Sequence, residues 1–388
     1  MPIARRVIAF LSALLAFLFL LPSARARKKP EAPRQYFAYV GTYTGKTNSK
    51  GIYAYRYDVV RGRLAPLGVA AEAADPSFLA VHPNGKYLYA VNESGKSSKV
   101  SAFRLDPRSG KLTLLGQVPS LGEDPCYIAL DKSGKYVLVA NYTSGSIAVF
   151  PILEDGRLGG QTAFVEHNGV TGPNKERQEA PHAHWIAPSP DNRFLLAADL
   201  GLDEVLVYKF DRANGTVSPN QPAFVKLPPG AGPRHMVMDR EGKVVFVASE
   251  LSSTVTAFSF DAKDGSLSQL RAVSTLPSGF SGRNDVAEIA VHPKGRFLYV
   301  SNRGNDSMAI FSIAPGKRLL NPLGTIPTGG KEPRHFTFDP SGNFLFAENQ
   351  LSDTIVVFRV DPSTGQLMPT GDTVGVPSPV CLVFTPAD

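Results

Sequence analysis

One phrase recurs along this chain at intervals of about 50 residues, and it limits the fold more than anything else in the sequence. A short apolar strand ends in Pro or a basic residue, a tight turn follows, and a second apolar strand begins. Residues 76–92 (PSFLAVHPNGKYLYAVN) and 333–349 (PRHFTFDPSGNFLFAEN) show the phrase. The turn is centred at Asn84-Gly85, Ser133-Gly134, Asp191-Asn192, Glu241-Gly242, Lys294-Gly295 and Ser341-Gly342. Gly or Asn there supplies the positive φ that a tight hairpin needs. A third strand follows each pair, such as Val100–Leu105 or Thr354–Val360, then a polar turn such as Asp361-Pro362-Ser363-Thr364-Gly365, then a fourth strand such as Leu112–Gln117.

Four strands at this period make one blade of a β-propeller. Six units are complete and the seventh is split. Tyr36–Tyr43, Gly51–Tyr57 and Leu64–Ala70 supply strands two, three and four, and the C-terminal segment Pro379–Phe384 supplies a first strand with nothing after it. The expected fold is therefore all-β: a seven-bladed propeller with four strands per blade, closed by the C-terminal strand joining the N-terminal blade. Closure leaves no unpaired sheet edge. The 35 Gly and 32 Pro residues suit such a chain of short strands and turns.

The N-terminus follows another pattern. Arg5 and Arg6 precede an apolar run from Val7 to Leu21, then Pro22 and Ala24-Arg25-Ala26. That is the layout of an export signal with a small-x-small cleavage site, and the run is shorter than a spanning helix needs. The expected organisation is a signal peptide over 1–26, a linker over 27–35 and the propeller over 36–388, in an exported protein with at most an N-terminal membrane anchor. Residues 1–26 hold three arginines and no acid, so the net charge of +7 falls to +4 on their removal. That surplus is too small and scattered for a nucleic-acid partner. Cys126 and Cys381 fall in non-adjacent blades and are expected to stay unpaired.

Propeller geometry turns the repeat into a site. Strands one and two of a blade are antiparallel, so the start of the first and the end of the second lie on one face, around the central channel. The first column reads Ser77, Cys126, His184, Arg234, Ala287, Arg334 and Val380; the second reads Glu93, Tyr142, Leu200, Glu250, Arg303 and Gln350. Together they give one channel mouth holding His184, Arg234, Arg303, Arg334, Glu93 and Glu250. The column just before the second, Asn92, Asn141, Asp199, Ser249, Asn302 and Asn349, repeats in every complete blade and reads as structural capping. His82 and His292 also repeat, on the opposite face, and read the same way. Function is expected where the repeat is broken.

The longest interval between equivalent positions, 58 residues from Lys132 to Pro190, contains the polar segment 167–184. It suits a loop covering the mouth. His182-x-His184 has the alternation of a strand metal site, with His167 and His235 as the candidate third ligands and neither obvious, but two histidines are a weak signal and no metal is expected.

Several pieces of the sequence together resemble one family: Tyr39-Val40-Gly41-Thr42-Tyr43, Gly172-Pro173-Asn174 with Arg177-Gln178, Pro181-His182-Ala183-His184, Ala198-Asp199-Leu200-Gly201, Gly232-Pro233-Arg234-His235 and Ser301-Asn302-Arg303-Gly304. The chain resembles, from about Tyr36 to Pro386, the lactonase family of seven-bladed propellers. That family includes propeller-type 6-phosphogluconolactonase and carboxy-cis,cis-muconate cyclase. The resemblance implies an active site of His184, Arg234, Glu250 and Arg303, with His182 competing for the histidine role. It implies substrate contacts from Arg177 and Gln178, beside Arg334 and Glu93 from the blade columns. The implied substrate is a lactone or other small anionic molecule, with no cofactor. Export departs from the family pattern, because the phosphorylated gluconolactone is a cytoplasmic metabolite.

Hydrolysing a lactone needs an activated water, stabilisation of the carbonyl oxygen and a proton for the leaving alkoxide. The expected division gives Glu250 the base role, His184 the acid role, and the oxyanion to Arg234 and Arg303. Two other readings use the same residues or none of them: a lactone-forming enzyme of the muconate cyclase kind, and a non-catalytic propeller that binds a surface partner.

Overall fold

The computed structural model describes residues 35–45, 47–314 and 319–387. The proposed signal peptide, and the linker up to residue 34, lie outside the described residues. No helix among the described residues is long and apolar enough to cross a membrane.

The described residues form seven antiparallel sheets of four strands. Blades one to six span Phe78–Pro119, Pro125–Glu166, Ala183–Lys226, Pro233–Ser274, Asp285–Pro327 and Pro333–Gly375. Blade seven joins the two ends of the chain: Pro379–Pro386 is its inner strand, followed outward by Gln35–Thr42, Gly51–Asp58 and Arg63–Glu72. Tyr36 pairs with Pro386 and Gly41 with Cys381, so the C-terminal strand closes the ring on the N-terminal blade as expected. Both cysteines are buried and unpaired.

Each blade packs a face against each neighbour, and this explains the continuous apolar runs. Successive side chains of a strand point to opposite faces. In blade four, Val244, Phe246 and Ala248 pack on Ile289, Leu298 and Val300 of blade five. The alternate residues Val245 and Val247 pack on Leu196 and Ala198 of blade three. Both faces of this strand are lined by apolar side chains. A fully buried side chain such as Phe246 contributes roughly 1.5–3 kcal/mol relative to exposure.

Buried tyrosines latch neighbouring blades. The hydroxyls of Tyr39, Tyr89 and Tyr299 donate to the carbonyls of Gly110, Gly156 and Gly365 in the next blade's outer turn, at 2.9, 3.0 and 2.6 Å. Gly156 has φ +89°, and a Cβ there would collide with the Tyr87 ring, so the turn must be glycine to reach the latch. Tyr89→Phe is expected to cost about 1 kcal/mol, read as a small fall in melting temperature, because one buried acceptor loses its donor. His82 and His292 do related work, with Nε2 at 2.8 and 2.7 Å from Gly134 O and Gly342 O of the next blade.

One irregularity positions the site. The inner strand of six blades has a register shift near its start, as where Pro233 pairs with Ser249 but His235 with Ala248; in blade five it follows the second residue, Val286. A bulge re-aims the residues at the kink. It turns Cys126, His184, Arg234 and Arg334 out of the alternating pattern at the mouth.

Candidate active site

The centre of the mouth is Glu250, just beyond the end of Val244–Ser249, with only 2% exposure. Three guanidiniums converge on its carboxylate. Arg234 Nε and Arg303 Nη2 both lie 2.9 Å from Oε2, and Arg177 Nη2 lies 2.5 Å from Oε1. Burial alone would raise the Glu250 pKa, but the three arginines overcome it and pull the group down to about 2. Glu250 is therefore a fixed anion rather than a base poised near neutrality.

Arg234 is the buried member of this set, at 2% exposure. Burial, with Arg303 and Arg334 nearby, depresses its pKa to about 10, and Glu250 and Glu288 oppose that fall. Its Nη1 is buried without a hydrogen-bond partner. Its Nε is an ion-pair neighbour of Glu250 but lacks hydrogen-bond alignment. A buried guanidinium with unmet donors is a site for an anion. Arg303 is held in place by the backbone carbonyls of Asp285 and Val286 at 3.2 and 3.4 Å.

Across the mouth, Arg334 Nη2 donates to Tyr43 Oη at 2.8 Å, and Tyr43 donates to Glu93 Oε2 at 2.7 Å. Burial raises the Glu93 pKa, against the pull of Arg334. Two further acids lie against these arginines, Asp285 at 3.8 Å from Arg177 and Glu332 at 4.0 Å from Arg303.

His184 completes the mouth, almost fully buried. Burial, then Arg234, His235 and Arg334, hold its pKa well below the ordinary value, so the imidazole is neutral at physiological pH. Its Nδ1 lies 3.6 Å from Cys126 Sγ. The Tyr142 ring stands edge-on to it at 5.4 Å and stacks on His182 at 4.4 Å.

The structure separates the mouth residues from those that hold the covering loop. His184, Arg234, Glu250, Arg303, Arg334, Glu93 and Arg177 share the opening. His182 and Gln178, expected to touch substrate, do other work. Both ring nitrogens of His182 are engaged, Nδ1 with Tyr142 O at 3.0 Å and Nε2 with Glu179 Oε1 at 3.1 Å. Gln178 is fully buried, donating to Leu200 O and Asp203 Oδ1 at 2.9 and 2.8 Å. His167 pairs with Asp199 at 2.7 Å, away from any shared ligand position with His182 and His184. Among the described residues no cluster of three metal-ligating side chains forms.

These fasteners aim Arg177. A Cβ on Gly201 would collide with Ala180 O, so the loop lies against bare backbone there. Gly201→Ala is expected to destabilise the protein by about 1–3 kcal/mol, through overpacking. It should also raise KM for an anionic substrate as Arg177 shifts, read by a thermal melt and steady-state kinetics.

Sequence reasoning did not single out Tyr43, Tyr142, Asp285 or the buried groups Glu288, His335 and Glu348, and considered His235 only as a metal ligand. Tyr142 stood in the second mouth column. Glu288 and His335 stand in the inner-strand column one residue deeper than the mouth, with His235, Phe78, Tyr127, Trp185 and Cys381. Three ionisable residues in a core column were the available signal.

Comparisons with known proteins agree with the fold. The family model described as "Lactonase, 7-bladed beta-propeller" matches residues 37–384. The 6-phosphogluconolactonase of Bacillus subtilis (strain 168) is 37% identical over 350 residues, covering 90% of this chain and 98% of that protein. The 6-phosphogluconolactonase of Formosa agariphila is 37% identical over 309 residues, covering 78% and 86%. The solved structure of the periplasmic gluconolactonase of Pseudomonas aeruginosa superposes with a TM-score of 0.86 at 36% identity, covering 91% of this chain and 100% of that one.

Proposed function

This chain belongs to the lactonase family of seven-bladed β-propellers, and we propose that it hydrolyses a sugar lactone of the 6-phosphogluconolactone type at the mouth around Glu250. The observation that carries this reading is the buried Arg234, with an unmet donor, set between Glu250 and a neutral His184. It supplies an electrophile-stabilising cation and a base within one opening.

The proton states assign the roles differently from the simplest expectation. A carboxylate held at about 2 by three arginines is a weak base. Glu250 instead keeps the guanidiniums in register. Both Glu250 oxygens already face guanidiniums, whereas the neutral His184 imidazole has no ion-pair partner among the described residues. The Cys126 thiol has backbone carbonyls of Ala183 and His184 at 3.7 Å to donate to, which leaves its sulfur free to accept from His184 Nδ1–H. Nε2 then carries the lone pair.

In the proposed reaction His184 Nε2 takes a proton from water as the water oxygen bonds to the lactone carbonyl carbon. The carbonyl oxygen becomes an oxyanion held by Arg234 and Arg303. The ring C–O bond then breaks, and the imidazolium returns its proton to the leaving alkoxide. The product is a hydroxy acid, which ionises to the carboxylate. Arg177 and Arg334 offer guanidinium forks to a phosphate or carboxylate elsewhere on the substrate.

The N-terminal layout and the neighbour named as periplasmic both support export. An exported enzyme would meet unphosphorylated lactones, so the substrate panel should hold both kinds. The test is a pH-stat assay, on protein expressed from Arg27, with 6-phosphogluconolactone, gluconolactone and a muconolactone. Acid release from a sugar lactone is the expected result. Turnover of the muconolactone alone would move the assignment to a cyclase-like enzyme. Protein inert on all three but retained by cell-wall ligands would overturn catalysis in favour of binding.

A further inference from the structure

Directly beneath the mouth lies a second set of ionisable side chains that the hydrolysis does not use. His235, Glu288 and His335 come from the inner strands of blades four, five and six. His235 and His335 each directly follow a bulge arginine. His235 Nδ1 lies 3.0 Å from Glu288 Oε2, His335 Nε2 lies 3.5 Å from the same oxygen, and His335 Nδ1 lies 2.6 Å from Glu348 Oε2. The Phe78 ring stands edge-on to both imidazoles, at 5.8 and 5.5 Å, and packs on Tyr127 at 4.4 Å. All four groups are at most 8% exposed. Burying two carboxylates and two imidazoles is unfavourable unless their charges pair, and a column of apolar side chains would cost less.

The contacts fix where the protons are. Glu288 accepts from Ile289 N at Oε1 and faces both rings with Oε2, which favours the carboxylate. His335 stands between two carboxylates, and they raise its pKa against burial. His235 is driven down to about 4 by burial, with Arg234 and His335 adding to the fall and Glu288 opposing it. With Nδ1–H donated to Glu288, its Nε2 is bare and has no partner. The His235 ring also stands 5.1 Å from the His184 ring.

We propose that His335, gripped by Glu288 and Glu348, is a buried cation that adds to burial and Arg234 in keeping His235 neutral. The ring beside His184 thereby stays uncharged, and His184 can accept a proton from water. His335, Glu288 and Glu348 are positioning residues, since they act through His235. The inference rests on His184 as the base. The other groups facing His184 are Arg234, Arg334, Cys126 and Tyr142, and those facing His335 include Arg234. None of them needs to change its charge.

His335→Gln and Glu348→Gln test the proposal. Each removes the imidazolium from Glu288, so His235 takes up a proton at higher pH and repels the charge forming on His184. The acid limb of kcat should rise by about one pH unit or more in both variants, with full activity recovered above the shifted limb and KM unchanged. A uniform loss at every pH, or an unmoved limb, overturns the proposal. The unmodified protein gives a second reading by 15N-imidazole NMR at pH 7. The ring bearing the deshielded proton of the 2.6 Å bond should be a doubly protonated imidazolium, and a neutral ring there overturns the proposal even if neither variant folds. Parallel assay of His184→Asn separates the two failures. Full activity in His184→Asn removes the base assignment, whereas loss there with an unmoved limb in His335→Gln removes only the buried chain.

Discussion

Glu250→Gln is expected to lower kcat/KM for lactone hydrolysis by about a hundredfold or more and to destabilise the fold by about 3–5 kcal/mol. Both effects follow from the same contacts. Three guanidiniums meet at this carboxylate, and Arg234 among them has no exposure to solvent that could compensate the loss. Removing one partner of a buried ion pair leaves the other charge uncompensated, which is the costly case. The neutral amide also accepts more weakly, so Arg234 and Arg303 lose their common anchor and the oxyanion site its geometry. Chemical denaturation and steady-state kinetics read the two effects separately. Adding Arg234→Met to Glu250→Gln should recover much of the stability and none of the activity. Recovery of activity in the double variant would show that these residues only brace the ring.

His184→Asn is expected to reduce kcat by about a hundredfold or more, with the fold retained. Asn keeps a polar group of similar size but cannot take a proton. The unmodified enzyme gives a pH signature as well. Burial and the neighbouring Arg234, His235 and Arg334 depress the His184 pKa. A base must be unprotonated to act, so activity is lost as pH falls and not as it rises. The midpoint of that acid limb should lie well below 6.5, the ordinary histidine value. The sign for stability is the same: the unfolded chain binds this proton more readily, so His184 contributes stability above about pH 6.5 that is lost as pH falls below it. An acid limb at or above 6.5, or unchanged turnover in His184→Asn, would take the base role away from this residue.

The blade count, the strand order and the closing strand were all legible in the sequence, because the repeat carries its own turn residues and apolar runs. Pro379–Phe384 could be assigned to the N-terminal blade since both halves were incomplete alone. The mouth was legible for a related reason. His184, Arg234, Glu250 and Arg303 stand in two columns that change from blade to blade, beside a column of Asn, Asp and Ser that repeats. The deeper row was not, and the bulge is the cause. Alternation along a strand says that if Arg234 faces the channel then His235 does not. One extra residue at the kink cancels that rule and brings both toward the axis. The roles of Gln178 and Arg177 were hidden for a different reason. They are neighbours in an irregular loop, where spacing does not say which one is a fastener and which reaches Glu250.

The shared sheet of blade seven also bears on how the chain is made. Its outer three strands are among the earliest residues of the propeller to be synthesised, and its inner strand is the last. Until residues 379–386 emerge, Gln35–Thr42 has an open edge and nothing to pair with. Domains otherwise begin folding from their N-terminal end during synthesis. Here the first blade must wait for the last strand, a contact separated by more than 300 positions in the sequence, and such distant contacts slow folding. A chain built this way stays incompletely folded through nearly all of its synthesis. Throughout that interval the unpaired edge of Gln35–Thr42 is the strand most open to pairing with another chain.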